Sequence, residues 1–419
     1  MQEIVVDQPA SEASSLLAIG NRRVLDAQGW SHGFWTCGDE NPVEKALGAL
    51  GKSRESGAWE YCRVRGHATV RRGKTEDCES LARLGAQVYV FGSQFGSKDG
   101  PVEPRRQFVA RFDEAALDGA LDEIKVEVEI ARGSFRLHRL LNDALVTSGL
   151  ELIPRGPHEE ACVKGARRKG KKKGKKWAAR LAKKDRPLNI EGTTFLPSGR
   201  LLLGLRYPVT RDGHPILVEI EDIERLFRHG APGSAANDDP GDSGEPVVRR
   251  VWVLDNVGSA EEPRGVRGLE NVGDDLHLIS GNLDNAEVES ALLADHPEGG
   301  RAAAQHHRFR LPESDDGGAG RIHAELVATV GEETKIEGLS IDADGRFLYV
   351  VDDKRIRLRP ASKAHIATPC HGGRSVRVRR KEGEAERCGQ RATPPQGGGR
   401  VEKESATVEP REPPKGARP

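Results

Sequence analysis

The sequence is poor in aromatic rings, sulphur and net charge. Aromatics make up 5% of its 419 residues, and there is a single Met. No apolar run approaches the ~18–20 residues of a membrane-spanning helix. The opening, MQEIVVDQPASEASSLLAIGNRR, has no basic segment followed by an apolar one. No secretory signal is therefore expected, and the expected location is cytoplasmic. The six cysteines form no C-x-x-C pair and no zinc-finger spacing with His, so free thiols in a reducing compartment are expected. Lys+Arg and Asp+Glu both number 65, and a net charge of zero argues against a dedicated nucleic-acid protein.

Turn formers and β-rich runs are abundant. Gly (49) and Pro (24) punctuate short runs such as VYVF (88–91), KVEVEI (125–130), LLLGLRY (201–207), ILVEI (216–220), VWVL (251–254), LHLIS (276–280) and FLYVV (347–351). RIHAELVATV (321–330) alternates strictly and reads as one half-buried strand. Helices are expected only at 114–124, 135–146 and 287–295, so strict β-α alternation is excluded. The expected fold is all-β, with a few short helices in loops.

Three stretches do not read as core. Segment 164–186 carries 13 Lys/Arg against one acid, Asp185, and reads as a solvated basic insert. Segment 228–246 is a Gly/Pro/Asp/Ser loop. The tail, 359–419, is too poor in large apolar side chains to offset its conformational entropy, so disorder is expected there.

Residues 190–202 (IEGTTFLPSGRLL) and 336–348 (IEGLSIDADGRFL) match at six of thirteen positions, 146 residues apart. Weaker echoes lie at Asp77–Ser80 and Arg267–Glu270. Repeated hairpins headed by an acid suggest a β-propeller, whose blades run ~40–45 residues. A lead-in strand within 1–29 followed by a domain over 30–358 leaves room for about six or seven blades, with the two matched copies about three blades apart.

Five segments, 34–47, 88–106, 188–208, 264–281 and 335–353, resemble in order an uncharacterised bacterial family, the domain of unknown function 3616. The most specific is LNIEGTTFLPSGRLLLGLRYP. The resemblance implies a propeller-like fold and no established activity, substrate or catalytic set.

If the repeats are blades, Glu79, Glu191 and Glu337 would converge on the central channel. Converging carboxylates suit a hard cation, Ca²⁺ or Mg²⁺. The competing reading is that each glutamate only braces backbone and neighbouring charges. Arg206, Arg267, Asp352 and Asp353 are further candidate ligand contacts, and Arg206 and Arg267 could equally pair with the glutamates. No nucleophile–base pair is visible at Ser93, and the adjacent His306 and His307 should face opposite ways on a strand. The lysine run could meet phosphate backbones, with Trp177 as a stacking surface. The function expected is ligand or protein binding at one mouth of the channel. The alternative is metal-assisted hydrolysis of phosphate or ester bonds.

Overall fold

A computed structural model describes residues 4–6, 13–38, 41–68, 75–97, 100–132, 134–227, 244–285, 289–312, 319–330, 336–351 and 356–360. The chain divides into two units, Met1–Ile366 and Ala367–Pro419. The second unit lies outside the described residues, as do the tail assigned to disorder beyond Pro360, most of the 228–246 loop, and Asp352 and Asp353.

Five sheets account for the strands of the first unit. Each is built on an innermost strand, in chain order Leu17–Ala18, Cys78–Leu84, Asn189–Phe195, Gly265–Val272 and Ile336–Ile341. We number the sheets blades 1 to 5 on that order. From each inner strand the chain steps outward through antiparallel neighbours, as in blade 3 through Leu201–Tyr207, Ile216–Glu221 and Val247–Leu254.

The inner strands close a ring. Leu81 N–H donates to Ser15 Oγ ahead of blade 1. Thr193 Oγ1 donates to Ser80 Oγ, joining blades 3 and 2. Gly192 abuts Val266 and Leu269, Gly268 abuts Gly338, and Gly338 abuts Ser15 and Leu16. A side chain at Gly268 would start 3.1 Å from the Gly338 Cα, so adjacent inner strands touch backbone to backbone there. The ends of the unit share blade 5, where Ile4–Val6 pairs antiparallel with Ile356–Pro360.

The fold is thus a β-propeller with five blades among the described residues, rather than the six or seven expected. The length arithmetic counted chain that builds no blade. Residues 133–188 connect blades 2 and 3 largely through helices, Arg136–Thr147 and Pro157–Lys172. The matched copies lie in blades 3 and 5, two apart and not three. Their turns agree bond for bond. Leu196 N donates to Arg200 O and Gly199 N to Leu196 O, as Asp342 N does to Arg346 O and Gly345 N to Asp342 O. Gly199 and Gly345 take φ of 81° and 73°, the left-handed region where a side chain is strained.

Three local expectations are corrected. Residues 114–124 form turns, not a helix, with Gly119 at φ 108° and Glu114 tied to Gly20 and Trp35. The alternating run 321–330 splits between Gly320–Ile322 in blade 3 and Glu325–Thr329 in blade 4, which leaves Leu326 53% exposed. The basic insert is partly helical and anchored at a few points: Ala166 and Leu181 are buried with Phe135, Trp177 packs against them, and most of its lysines stay exposed. The expected helix at 135–146 is present, and that at 287–295 shortens to Ala291–Asp295.

Candidate functional site: charged residues at one mouth of the ring

Each inner strand begins on one face of the ring. The second strands end on that face, and the described parts of the connections that follow them in blades 2 and 4, 93–97, 100–107, 282–285 and 289–304, gather there with residues 134–188, which lead into the inner strand of blade 3. Inner strands of neighbouring blades are too close for large side chains to project between them, as Gly192, Gly268 and Gly338 record. A side chain reaches the mouth only where the strand departs from regular pairing.

That departure occurs at one register in four successive blades. Pairing slips by one residue between Cys78 and Ser80, Ile190 and Gly192, Val266 and Gly268, and Ile336 and Gly338. The extra residues are Glu79, Glu191, Arg267 and Glu337. A bulge leaves one residue unpaired and re-aims its side chain. The side-chain oxygens of Glu79, Glu191 and Glu337 come within 4.8 Å of one another. The three glutamates singled out from the sequence are therefore brought together. Arg267, from the blade between those of Glu191 and Glu337, reaches both: Nε lies 3.0 Å from Glu191 Oε2, and Nη2 donates to Glu337 Oε1. Arg206, at the end of the second strand of blade 3, donates from Nη1 to Glu191 Oε1 at 2.5 Å and from Nη2 to Asn282 Oδ1 at 3.1 Å.

Depth separates these groups. Glu191, Arg206 and Arg267 are buried, while Glu79 and Glu337 are partly exposed. Burial works against the charge on Arg206, but Glu191, Asp284 and Glu337 outweigh it and hold the guanidinium firmly protonated. On the blade 2 side burial raises the Asp77 carboxyl despite Arg106, whose Nη1 donates to it at 2.9 Å. Asn189 Nδ2 donates to Glu191, while its buried Oδ1 has no hydrogen-bond partner.

In the weaker echo at 267–270, the residue at the bulge is Arg267 and not the acid Glu270. Arg267 holds the bulge of blade 4, and Glu270 follows three residues later on the same strand. Burial there pushes its carboxyl up to about 8, with Arg83 opposing. The signal was present in the offset, because Arg267-Gly268 matches Glu191-Gly192 and Glu337-Gly338 when Gly is aligned. His306 and His307 do face opposite ways: His306 contacts His277 and Tyr349, and His307 contacts Ser280. Trp177 is engaged with Phe135, ring centroids 4.8 Å apart, so it offers no stacking platform. Among the described residues, no disulfide links Cys37, Cys62, Cys78 and Cys162 to one another. No helix among the described residues is long and apolar enough to cross a membrane.

No family model matches the chain, and no curated protein matches it. Among solved structures it is similar to a GH43 β-1,3-galactosidase with galactodeoxynojirimycin, at 10% identity over 85% of this chain and 91% of that one, with a TM-score of 0.40. It is likewise similar to an exo-1,5-α-L-arabinanase from a bovine ruminal metagenomic library, at 11% identity over 85% and 94%, TM-score 0.38. A third is a glucose dehydrogenase-like oxidoreductase from Thermus thermophilus, at 12% identity over 85% and 99%, TM-score 0.35. Likeness at that level carries no argument about activity, and the propeller stands on the strand order and ring closure above.

Proposed function

We propose that the chain is a binding module whose ligand sits at this mouth, among Glu79, Glu191, Glu337, Arg206 and Arg267. The observation that supports this reading is the bulge repeated at one register in four blades, each turning a charged residue inward. A buried charge array stabilises a fold poorly compared with packed apolar side chains. Its repetition therefore points to recognition. Three carboxylates interleaved with two guanidiniums offer acceptors and donors within a few ångströms, which suits a small ligand carrying both, such as a zwitterion or a polyol. Glu191 forms the floor, and the partly exposed Glu79 and Glu337 form the rim. Among the described residues, no nucleophile–base–orienter set accompanies them. The same mouth collects residues from three of the five motifs shared with the domain of unknown function 3616, and on that basis we also propose membership of that family.

One observation favours metal-assisted hydrolysis as a second reading. Oxygens within 4.8 Å of one another can be bridged by a Ca²⁺ whose ligands lie at ~2.4 Å. Against it, both oxygens of Glu191 already face guanidinium nitrogens, at 2.5 and 3.0 Å, and a divalent cation there would meet like charge.

Thermal shift with a panel of free amino acids and monosaccharides, on the wild type and Glu337→Gln, tests the proposal. The expected result is stabilisation by at least one compound, lost in the variant, with no response to Ca²⁺ or Mg²⁺. A rise produced by Ca²⁺ or Mg²⁺ alone would transfer the site to the hydrolase reading. Silence from the whole panel would remove the binding reading.

A further inference from the structure

The basic segment after Lys164 is a folded surface of one sign. Its helix, Pro157–Lys172, is fixed at its start by Asp295, whose carboxylate accepts from the backbone N–H groups of His158 and Glu159. Glu159 in turn accepts from Tyr207 Oη at 2.7 Å and from Arg186. The helix stops at Gly174, φ 61°, with Gly174 N donating to Lys171 O and Lys175 N to Gly170 O. A Cβ on Gly170 would lie 2.6 Å from the Trp177 ring, so the turn that follows is pressed onto the helix. Lys171, Lys172, Lys173, Lys175 and Lys176 are exposed on this ordered helix end and turn.

The acid of the segment is withdrawn. Asp185 is buried and receives Arg139 Nη1 at 2.6 Å. Among the described residues, the exposed cation of the segment held in an ion pair is Lys169, with Glu103. The apolar side chains Val163, Ala166 and Leu181 are buried and Trp177 is half-buried against them, which leaves no apolar anchor to enter a lipid surface. With Trp177 engaged on Phe135, no aromatic platform serves unstacked bases.

We propose that this lysine-rich helix end and turn dock on the phosphate backbone of double-stranded nucleic acid. Five lysines on an ordered scaffold are positioned to displace condensed counterions from a regular row of phosphates. Binding is indifferent to base sequence, because neutralising phosphates carries no sequence information.

Fluorescence anisotropy of the full chain with a labelled duplex of about 20 base pairs of DNA, titrated between about 50 and 200 mM NaCl, tests this. Five phosphate contacts predict a slope of log K against log[salt] of about −4 to −5, at ~0.9 per contact. Replacing all five lysines by Gln should weaken binding at least tenfold and flatten the slope, with the melting temperature held. Replacing the same five by Arg should retain binding. No binding of the wild type at the lowest salt would overturn the proposal, as would undiminished binding by the Gln variant. So would tighter binding to phosphatidylserine vesicles or to polyglutamate than to the duplex at equal salt.

Discussion

His306 is fully buried between blades 4 and 5, and its protonation can be read as a change in stability. Nδ1 lies 2.9 Å from Tyr349 Oη and Nε2 lies 2.9 Å from His277 Nδ1. Burial first, then His277 and His307, push its pKa down to about 3 from 6.5. Below pH 6.5 the unfolded chain takes up a proton at this position and the folded chain does not, so acid favours unfolding. At pH 5 the unfolded group is about 1.5 pH units below its pKa and the folded group is still neutral. At about 1.36 kcal/mol per unit the loss is about 2 kcal/mol, nearly all of it absent at pH 7. Other groups titrate in the same interval; Glu270, for one, opposes the trend because its carboxyl is raised. The comparison that isolates His306 is therefore wild type against His306→Gln, by urea unfolding at pH 7, 6 and 5. The variant starts less stable, having lost two buried contacts. Its further loss between pH 7 and pH 5 should be smaller than that of the wild type by about 2 kcal/mol. Parallel curves would show that the folded protein accepts a proton at His306 and would refute the reasoning.

Glu191→Ala strands Arg206 and Arg267 without their shared carboxylate, and breaking a buried pair from one side costs roughly 3–5 kcal/mol; urea unfolding at pH 7 should show it, and a loss below about 1 kcal/mol would remove the brace. Arg267→Gln removes the cation between Glu191 and Glu337, so the variant should be less stable in EDTA and gain melting temperature with millimolar Ca²⁺, where the wild type does not. An equal Ca²⁺ response in both would mean that the arginine does not occupy the cation's place. Trp177→Ala takes away the ring seated on Phe135 and Gly170, so trypsin should cleave within 164–184 faster in the variant than in the wild type. Equal rates would mean that the segment is already open in the native chain.

The glutamates were legible because this bulge leaves a short local pattern in the sequence. A polar residue that leaves the ladder is followed by a small one that lets the next blade approach, as in Glu191-Gly192 and Glu337-Gly338. Glu79-Ser80 keeps the same logic with Ser, whose hydroxyl meets Thr193 across the blade boundary. The hairpin strands were legible for the usual reason, that β-branched and aromatic residues between Gly and Pro have little alternative to a sheet. Blade number was not, because it depends on how much chain leaves the sheets. Segment 164–186 read as a solvated insert because its apolar residues, Ala166, Trp177 and Leu181 among them, are sparse among lysines. These few contacts hold because Val102, Phe135 and Ala291, distant in sequence, close on the same cluster with Cys162 and Val163. The split of 321–330 was equally hidden, since alternation reports a pleated segment and not which sheet its two ends join.

Arg267 explains why the charge array can exist at all. Three carboxylates at one bulge register would repel one another across a few ångströms, and in a partly buried mouth that repulsion is weakly screened. Placing the one cationic bulge in the blade between Glu191 and Glu337 puts a guanidinium against both neighbours. Arg206, one strand further out, takes the other oxygen of Glu191. Glu79, in the blade beside that of Glu191, acts on the Arg106 guanidinium of its own blade, which is itself held by Asp77. The five groups at the mouth then sum to one negative charge, with the rim positions Glu79 and Glu337 facing water and the floor neutralised. Under the binding proposal, the ligand should bring a positive or donor-rich group to the rim. The mouth disfavours a resident divalent ion on the floor, where two guanidiniums already stand.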